Sequence, residues 1–164
     1  DLGTGTGAIA LALAKFWPES AVVAVDRSAE ALALARENAA KLSLADRVAF
    51  RESDWFAALA GEAPFQLIVS NPPYLTAAEV AAAEPEVREH DPVTALVAER
   101  DGRADLEAII RTAPAFLATG GLLALETGIA QHAALTEFAT PLGYTAIESK
   151  HDLTDRERFL LLRR

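Results

Sequence analysis

Apolar and polar positions along the chain fall into two alternating rhythms, one helical and one strand-like. Ala8–Phe16 (AIALALAKF) is small and aliphatic, suits a tightly packed helix, and is followed by Pro18, which cannot continue one. Ala21–Asp26 (AVVAVD) is a short apolar run ending in an acid, the pattern of a buried parallel strand. Ser28, Glu30 and Ala31 open a helix to about Leu42, with Leu32, Ala35, Ala39 and Leu42 at helical spacing. Arg47–Arg51 predicts a second strand and Phe65–Ser70 (FQLIVS) a third, the most buried. From Asn71 to about Asp101 the chain is irregular and punctuated by proline, too long for an ordinary connection and therefore expected to cover a ligand. Arg103–Thr119 predicts a helix stopped by Gly120-Gly121, then Leu122–Glu126 a strand, Gln131–Thr140 a helix, and Tyr144–Ser149 with Arg158–Leu162 a closing pair of strands. Such alternation defines an α/β fold with a doubly wound, mostly parallel sheet and an antiparallel strand at its C-terminal end.

Composition narrows the function more than the fold. The 164 residues fit one domain, and the balance of 15 basic against 24 acidic residues leaves a net charge of −9. That charge disfavours a surface built to neutralise phosphates, so no direct nucleic-acid binding is expected. With no cysteine, disulfides, thiolate metal sites and cysteine nucleophiles are excluded. No apolar run approaches the roughly 20 residues that span a bilayer and no signal peptide is recognisable, so a cytoplasmic protein without a membrane partner, acting as a monomer, is expected. The three histidines share no metal-ligand spacing, so no metal is expected, and surface or capping roles are predicted for them. There is no methionine, and the chain opens on Asp1-Leu2-Gly3. The expectation is a longer intact protein, in which upstream residues complete a first central strand between the strands at 21–26 and 65–70.

The candidate chemistry begins in Asp1-Leu2-Gly3-Thr4-Gly5-Thr6-Gly7, at the junction of a strand and a helix. Alternating glycines let the backbone turn sharply and approach a ligand with no Cβ between them. Gly3, Gly5 and Ala8 satisfy the loose dinucleotide pattern, and Asp26 falls about 20 residues on, where a ribose-binding acid is expected. This Rossmann-like motif cannot by itself choose between cofactors. A nicotinamide-dependent dehydrogenase is a legitimate rival, whereas a Walker A loop is excluded because no Lys-Ser/Thr follows the glycines.

Ser70-Asn71-Pro72-Pro73-Tyr74 follows the most buried strand directly. Two prolines fix φ and remove two backbone donors, so the segment is stiff and presents carbonyls. Asn71 offers a side-chain carbonyl, Pro72 a backbone one and Tyr74 a flat face, a set suited to a planar NH₂ group with two N–H bonds to satisfy. The nitrogen of an amide or aromatic amine is a poor nucleophile, its lone pair being delocalised. Acceptors on its protons favour charge build-up as an electrophilic methyl arrives, which is where electrostatics helps a reaction. Holding nitrogen, methyl and a sulfonium sulfur in line is mostly a matter of position and needs no strong base.

On these residues the sequence resembles a known family. DLGTGTGAIALALA at the start, AVD at 24–26, SDWF at 53–56 and IVSNPPY at 68–74 are similar to the catalytic domain of class I S-adenosylmethionine-dependent methyltransferases. More closely, with PEVREHDPVTALVAERDG (85–102), LET-G (125–128) and the D…DRERF ending (152–159), the chain resembles the protein-(glutamine-N5) methyltransferases that modify peptide-chain release factors. The resemblance implies a catalytic domain over residues 1–164, without the family's N-terminal helical domain. It implies that Gly3, Thr4, Gly5, Thr6 and Gly7 line S-adenosyl-L-methionine, that Asp26 binds its ribose and that Trp55 flanks its adenine. It also implies that Asn71, Pro72, Pro73 and Tyr74 hold the substrate amide, with Asn71, Pro72 and Tyr74 the catalytic group and Asn71 also touching the cofactor. The implied partner is a release factor bearing a Gly-Gly-Gln loop. Asn-Pro-Pro-Tyr is shared with enzymes that methylate adenine or guanine amino groups, so that substrate, or a ribosomal-protein glutamine, is the alternative. Glu126, at a strand end, is expected to be structural.

Overall fold

The structure, a computed structural model, describes residues 1–62, 64–75 and 102–164. The chain divides into two compact units, Asp1–Ala63 and Pro64–Arg164. In the first, α1 (Ala8–Phe16), β1 (Val22–Asp26), α2 (Ala29–Lys41) and β2 (Val48–Glu52) follow one another. Strands β1 and β2 pair in parallel, Val22 with Val48 through Asp26 with Glu52. On the other edge of β1, Leu2 makes a parallel bridge to Val25, and Val25 N donates to Asp1 O at 2.9 Å. Alanines let the helices lie close to this sheet: Ala10, Leu11 and Ala14 of α1 and Ala39 of α2 pack with Val22, Ala24 and Val48 in one buried cluster. Helix α2 starts where expected because the Ser28 hydroxyl accepts from Ala31 N at 3.1 Å, satisfying an N-terminal amide that the helix leaves unpaired.

The second unit holds β3 (Phe65–Ser70), α3 (Ala104–Thr112), β4 (Leu117–Glu126), α4 (His132–Ala139), β5 (Ala146–His151) and β6 (Glu157–Arg163). Its sheet has the order β3-β4-β6-β5. Strands β3 and β4 are parallel, while β6 runs antiparallel to both β4 and β5. Leu106, Ile109 and Ile110 of α3, Leu135 of α4 and Leu123, Leu125, Leu160 and Leu162 of the strands are buried. Fully burying each such side chain contributes about 1.5–3 kcal/mol. The α/β class, the mostly parallel pairing and the antiparallel C-terminal strand agree with the sequence expectation.

One predicted boundary is wrong. The helix predicted over 103–119 ends at Thr112, and β4 begins at Leu117, five residues before the strand expected at 122. Pro114 is the reason: it cannot donate to the turn before it, and the chain takes a short 3₁₀ turn over Ala113–Ala115 instead. Gly120-Gly121 is therefore not a helix stop but part of a bulge inside β4. Phe65 pairs with Leu117 whereas Leu67 already pairs with Leu122, and Gly120 takes the left-handed φ of +74° that accommodates the extra residues. The irregular stretch from Asn71 is described only to Leu75, so the segment 85–101 and His90 lie outside the described residues.

Candidate functional site

Ligand-binding groups in open α/β sheets gather beyond the carboxyl ends of parallel strands, and each unit carries its candidate residues there. In the first unit the glycine loop leaves the strand position of Leu2 and bends back through Gly3, Gly5 and Gly7, all with positive φ (67°, 54° and 83°). Thr4 N donates to Val25 O at 2.9 Å, tying the bend to β1. Asp26, the last residue of β1, fixes the loop from the other side: its Oδ2 accepts from Gly5 N at 2.8 Å and its Oδ1 from Ser28 N at 2.9 Å. A carboxylate has about four acceptor positions, so two remain on Asp26 for further donors such as ribose hydroxyls.

Trp55 follows β2, and its indole lies over Gly3. A Cβ at residue 3 would sit 3.2 Å from Trp55 Cζ3, whereas one at residue 5 would meet nothing within 4 Å among the described residues. Gly3 is thus needed for a contact already made, while Gly5 leaves an open side. Trp55 itself takes a left-handed φ of 46°, a conformation that costs an L residue roughly 1–2 kcal/mol. The Ser53 hydroxyl helps to maintain it, donating to Trp55 O and accepting from Ala58 N, both at 2.9 Å.

Asp1 is the residue of this loop that sequence reasoning passed over. Its Oδ2 accepts from the Thr4 hydroxyl at 2.5 Å and from Ala10 N at 3.1 Å. Its Oδ1 is buried without a hydrogen-bond partner among the described residues. An orphaned carboxylate oxygen is costly and calls for a donor. The acid that opens the DLG motif is its signal in the sequence. The Thr4 hydroxyl is committed to Asp1, and Thr6 is exposed beside α1 and α2, lining a groove of about 370 Å³ with Leu11, Lys15, Asn38, Lys41 and Leu42.

In the second unit, Asn71-Pro72-Pro73-Tyr74 leaves the end of β3, where Ser70 is paired with Leu125 of β4. The parallel register brings Glu126, the last residue of β4, to the same edge. Asn71 is exposed, Pro72 is buried, and Tyr74 is partly buried. The Tyr74 hydroxyl donates to Glu126 Oε1 at 2.9 Å, its carbonyl accepts from Gln131 Nε2 at 2.9 Å, and its ring lies 5.5 Å beneath the Arg158 guanidinium. Burial, followed by the negative charge of Glu126, pushes the Tyr74 phenol up to about 12. It therefore stays protonated at neutral pH. Arg158 is held over the ring by donating from Nη1 to Thr127 O at 3.0 Å. The expectation of a structural Glu126 agrees with this geometry.

His132 corrects the expectation of a surface histidine. It opens α4 and is 4% exposed. Its Nε2 lies 2.6 Å from Thr127 Oγ1 and its Nδ1 2.6 Å from Ser149 Oγ, whose hydroxyl in turn donates to Glu157 Oε1 at 3.1 Å. Burial lowers its pKa, opposed by Glu157 and assisted by His151 and Arg158. Two hydroxyls at the ring nitrogens let the neutral imidazole donate to one and accept from the other.

A parallel-strand core with a glycine loop at one strand end and Asn-Pro-Pro-Tyr at another is found in a defined class, and the chain belongs to the methyltransferase small domain family, whose model matches residues 1–87. Its curated relatives are more particular. Release factor glutamine methyltransferase of Escherichia coli (strain K12) is 44% identical over 161 residues, covering 98% of this chain and 57% of the relative. The protein of that name from Deinococcus radiodurans is 49% identical over 164 residues, covering 100% and 57%. The chain thus spans a little over half the length of these relatives. Among solved structures, a methyltransferase from Pyrococcus furiosus matches with a TM-score of 0.73 at 20% identity, over 99% of this chain and 72% of that one. The Thermus thermophilus 16S rRNA N2 G1207 methyltransferase in complex with AdoMet and guanosine matches with a TM-score of 0.69 at 23% identity, over 100% and 36%. These likenesses establish a mostly parallel, Rossmann-like α/β fold.

Proposed function

We propose that residues 1–164 form the catalytic domain of an S-adenosyl-L-methionine-dependent protein-(glutamine-N5) methyltransferase. Its substrate is the glutamine side-chain amide in the Gly-Gly-Gln loop of peptide-chain release factors. The observation that carries this reading is the Asn-Pro-Pro-Tyr segment at the carboxyl end of β3, in a family of methyltransferases whose relatives carry the release-factor name. The acidic net charge of −9 favours a protein substrate over a nucleic acid. A protein that acts on release factors works in translation termination, in the cytoplasm, and this chain is proposed to do so as a monomer.

The residues present fit the cofactor. The open side of Gly5 allows a ligand to reach the backbone, and the buried Asp1 Oδ1 lacks the donor that an ammonium group would supply. The two remaining acceptor positions on Asp26 suit a pair of ribose hydroxyls, and Trp55 offers an aromatic wall for adenine. When bound, S-adenosyl-L-methionine supplies an electrophilic methyl group on a sulfonium. Within the family pattern, the chain's own contribution on the substrate side is positional. Asn71 Oδ1 and the Pro72 carbonyl accept the two N–H bonds of the amide, fixing its plane and stabilising positive charge that develops on nitrogen. Tyr74 contributes its face and not its proton, because the hydroxyl is spent on Glu126 and the phenol is pushed up to about 12.

The test is transfer of labelled methyl from S-adenosyl-L-methionine to a release factor and to its variant with the loop glutamine replaced by alanine. Label is expected on the first only, and equal labelling of both would end the glutamine assignment. Calorimetry with S-adenosyl-L-methionine and with NAD separates the methyltransferase reading from a dehydrogenase.

A further inference from the structure

The β3–β4 ladder stops at the pair Ser70–Leu125, although both chains continue side by side to Tyr74 and Gly128. Its termination has a chemical cause: Pro72 and Pro73 have no N–H, so β3 cannot donate further rungs. Beyond that point the two chains are joined by a side chain. Gln131, 8% exposed, accepts from Gly128 N on Oε1 at 2.9 Å and donates from Nε2 to Tyr74 O at 2.9 Å. Its amide receives from one main chain and donates to the other, as a peptide group in a sheet does. The direction is unambiguous, because a reversed amide would set oxygen against the Tyr74 carbonyl and NH₂ against the Gly128 N–H. The junction is also tight: a Cβ at residue 102 would lie 2.1 Å from Tyr74 O and 2.7 Å from Gln131 Nε2.

We propose that Gln131 is a positioning residue whose amide bridges the two chains beyond the last ladder rung and thereby sets where Asn71 Oδ1 and the Pro72 carbonyl stand. This inference rests on the methyltransferase reading for its kinetic consequence but not for its structural one. A proline-stiffened segment moves as a unit, so a release at Tyr74 O is transmitted to residues 71 and 72. A displacement of about 1 Å at reacting groups costs on the order of 100-fold in rate.

Two variants of the intact protein test it. Gln131→Glu keeps the acceptor for Gly128 N and loses the donor to Tyr74 O, and Gln131→Met removes both without adding charge, in case the first fails to fold. For each, kcat with a release factor is expected to fall about 10- to 100-fold, while the dissociation constant for S-adenosyl-L-methionine stays unchanged. The second readout is independent of turnover. Residues 1–164 contain Tyr74 and Tyr144, so the fluorotyrosine NMR spectrum includes a line from each, assigned by their loss in Tyr74→Phe and Tyr144→Phe. The Tyr74 line is expected to shift or broaden in both variants and the Tyr144 line to stay in place. A kcat within twofold of wild type, or an unmoved Tyr74 line, overturns the proposal. If the wild-type protein methylates no release factor, the functional reading fails, while the Tyr74 line still decides whether Gln131 holds the segment.

Discussion

The glycine loop and the Asn-Pro-Pro-Tyr segment both lie at the ends of parallel strands, yet they are secured in opposite ways. The loop is held by backbone donors: Thr4 N on β1 and Gly5 N on Asp26, with glycine φ values doing the bending. The proline segment has given up its own donors at two successive positions and is held by side chains that arrive from far along the sequence. Glu126 and Gln131 lie 52 and 57 residues from Tyr74, and Arg158 comes from the last strand. A segment without N–H groups at two successive positions cannot anchor itself through amides there, so its fixation comes from elsewhere.

The comparison breaks most visibly if the two regions do not separate ligand by ligand. On the proposed function, Asn71→Ala removes an acceptor for the substrate amide and is expected to lower kcat by about 100- to 1,000-fold, the range for a lost transition-state hydrogen bond. Calorimetric affinity for S-adenosyl-L-methionine should change far less. Asp26→Ala should do the reverse. Losing the carboxylate that accepts from Gly5 N and Ser28 N costs about 1.5–3 kcal/mol for a charged hydrogen bond, or roughly 10- to 150-fold in cofactor affinity. If Asp26→Ala leaves cofactor binding intact, the loop does not depend on its backbone ties.

A smaller effect is expected from Tyr74→Phe, which deletes one hydrogen bond to Glu126 but keeps the ring under Arg158. Stability measured in urea should fall by about 1–2 kcal/mol, and the basic limb of a pH–rate profile up to pH 10 should not move. A shift of that limb would show that the phenol moves a proton after all. The smallest effect concerns His132. Its folded pKa is lowered by burial, so its contribution to stability is complete above the unfolded value near 6.5 and is lost as pH falls through the folded pKa. His151 has the opposite sign: its hydrogen bond to Asp155 raises its pKa, and that contribution is lost as pH rises. His132→Gln should flatten the loss of melting temperature between pH 7 and pH 5, and an unchanged slope would place the acid sensitivity elsewhere.

What the sequence disclosed follows the same division. Helices α1 and α2 and strands β1 to β3 were legible to within a residue or so, because each is announced by local signals such as the Ser28 cap and the apolar run to Ser70. The ties of Gly3 to Trp55 and of Gly5 to Asp26 lay within reach of motif spacing. Gln131 and Arg158 did not, since neither residue type nor spacing marks a glutamine at a helix start as the partner of a tyrosine carbonyl. His132 was misjudged for a related reason: its burial comes from Thr127 and Ser149, which only the fold assembles around it. The bulge at Gly120-Gly121 imitated a helix stop because both uses require the same left-handed backbone.

The position of β6 has a consequence for how this chain leaves the ribosome. Residues 157–163 occupy an interior place in the order β3-β4-β6-β5, although they follow the other three strands of that sheet in the chain. Until they emerge, β4 has an open edge on the side where Leu160 and Leu162 will be covered, a surface prone to wrong pairing. The β5–β6 hairpin must then insert as a plug and close the sheet in one late event. Nascent chains stalled before residue 157 should be captured by chaperones, and emergence of residues 157–163 should end that dependence.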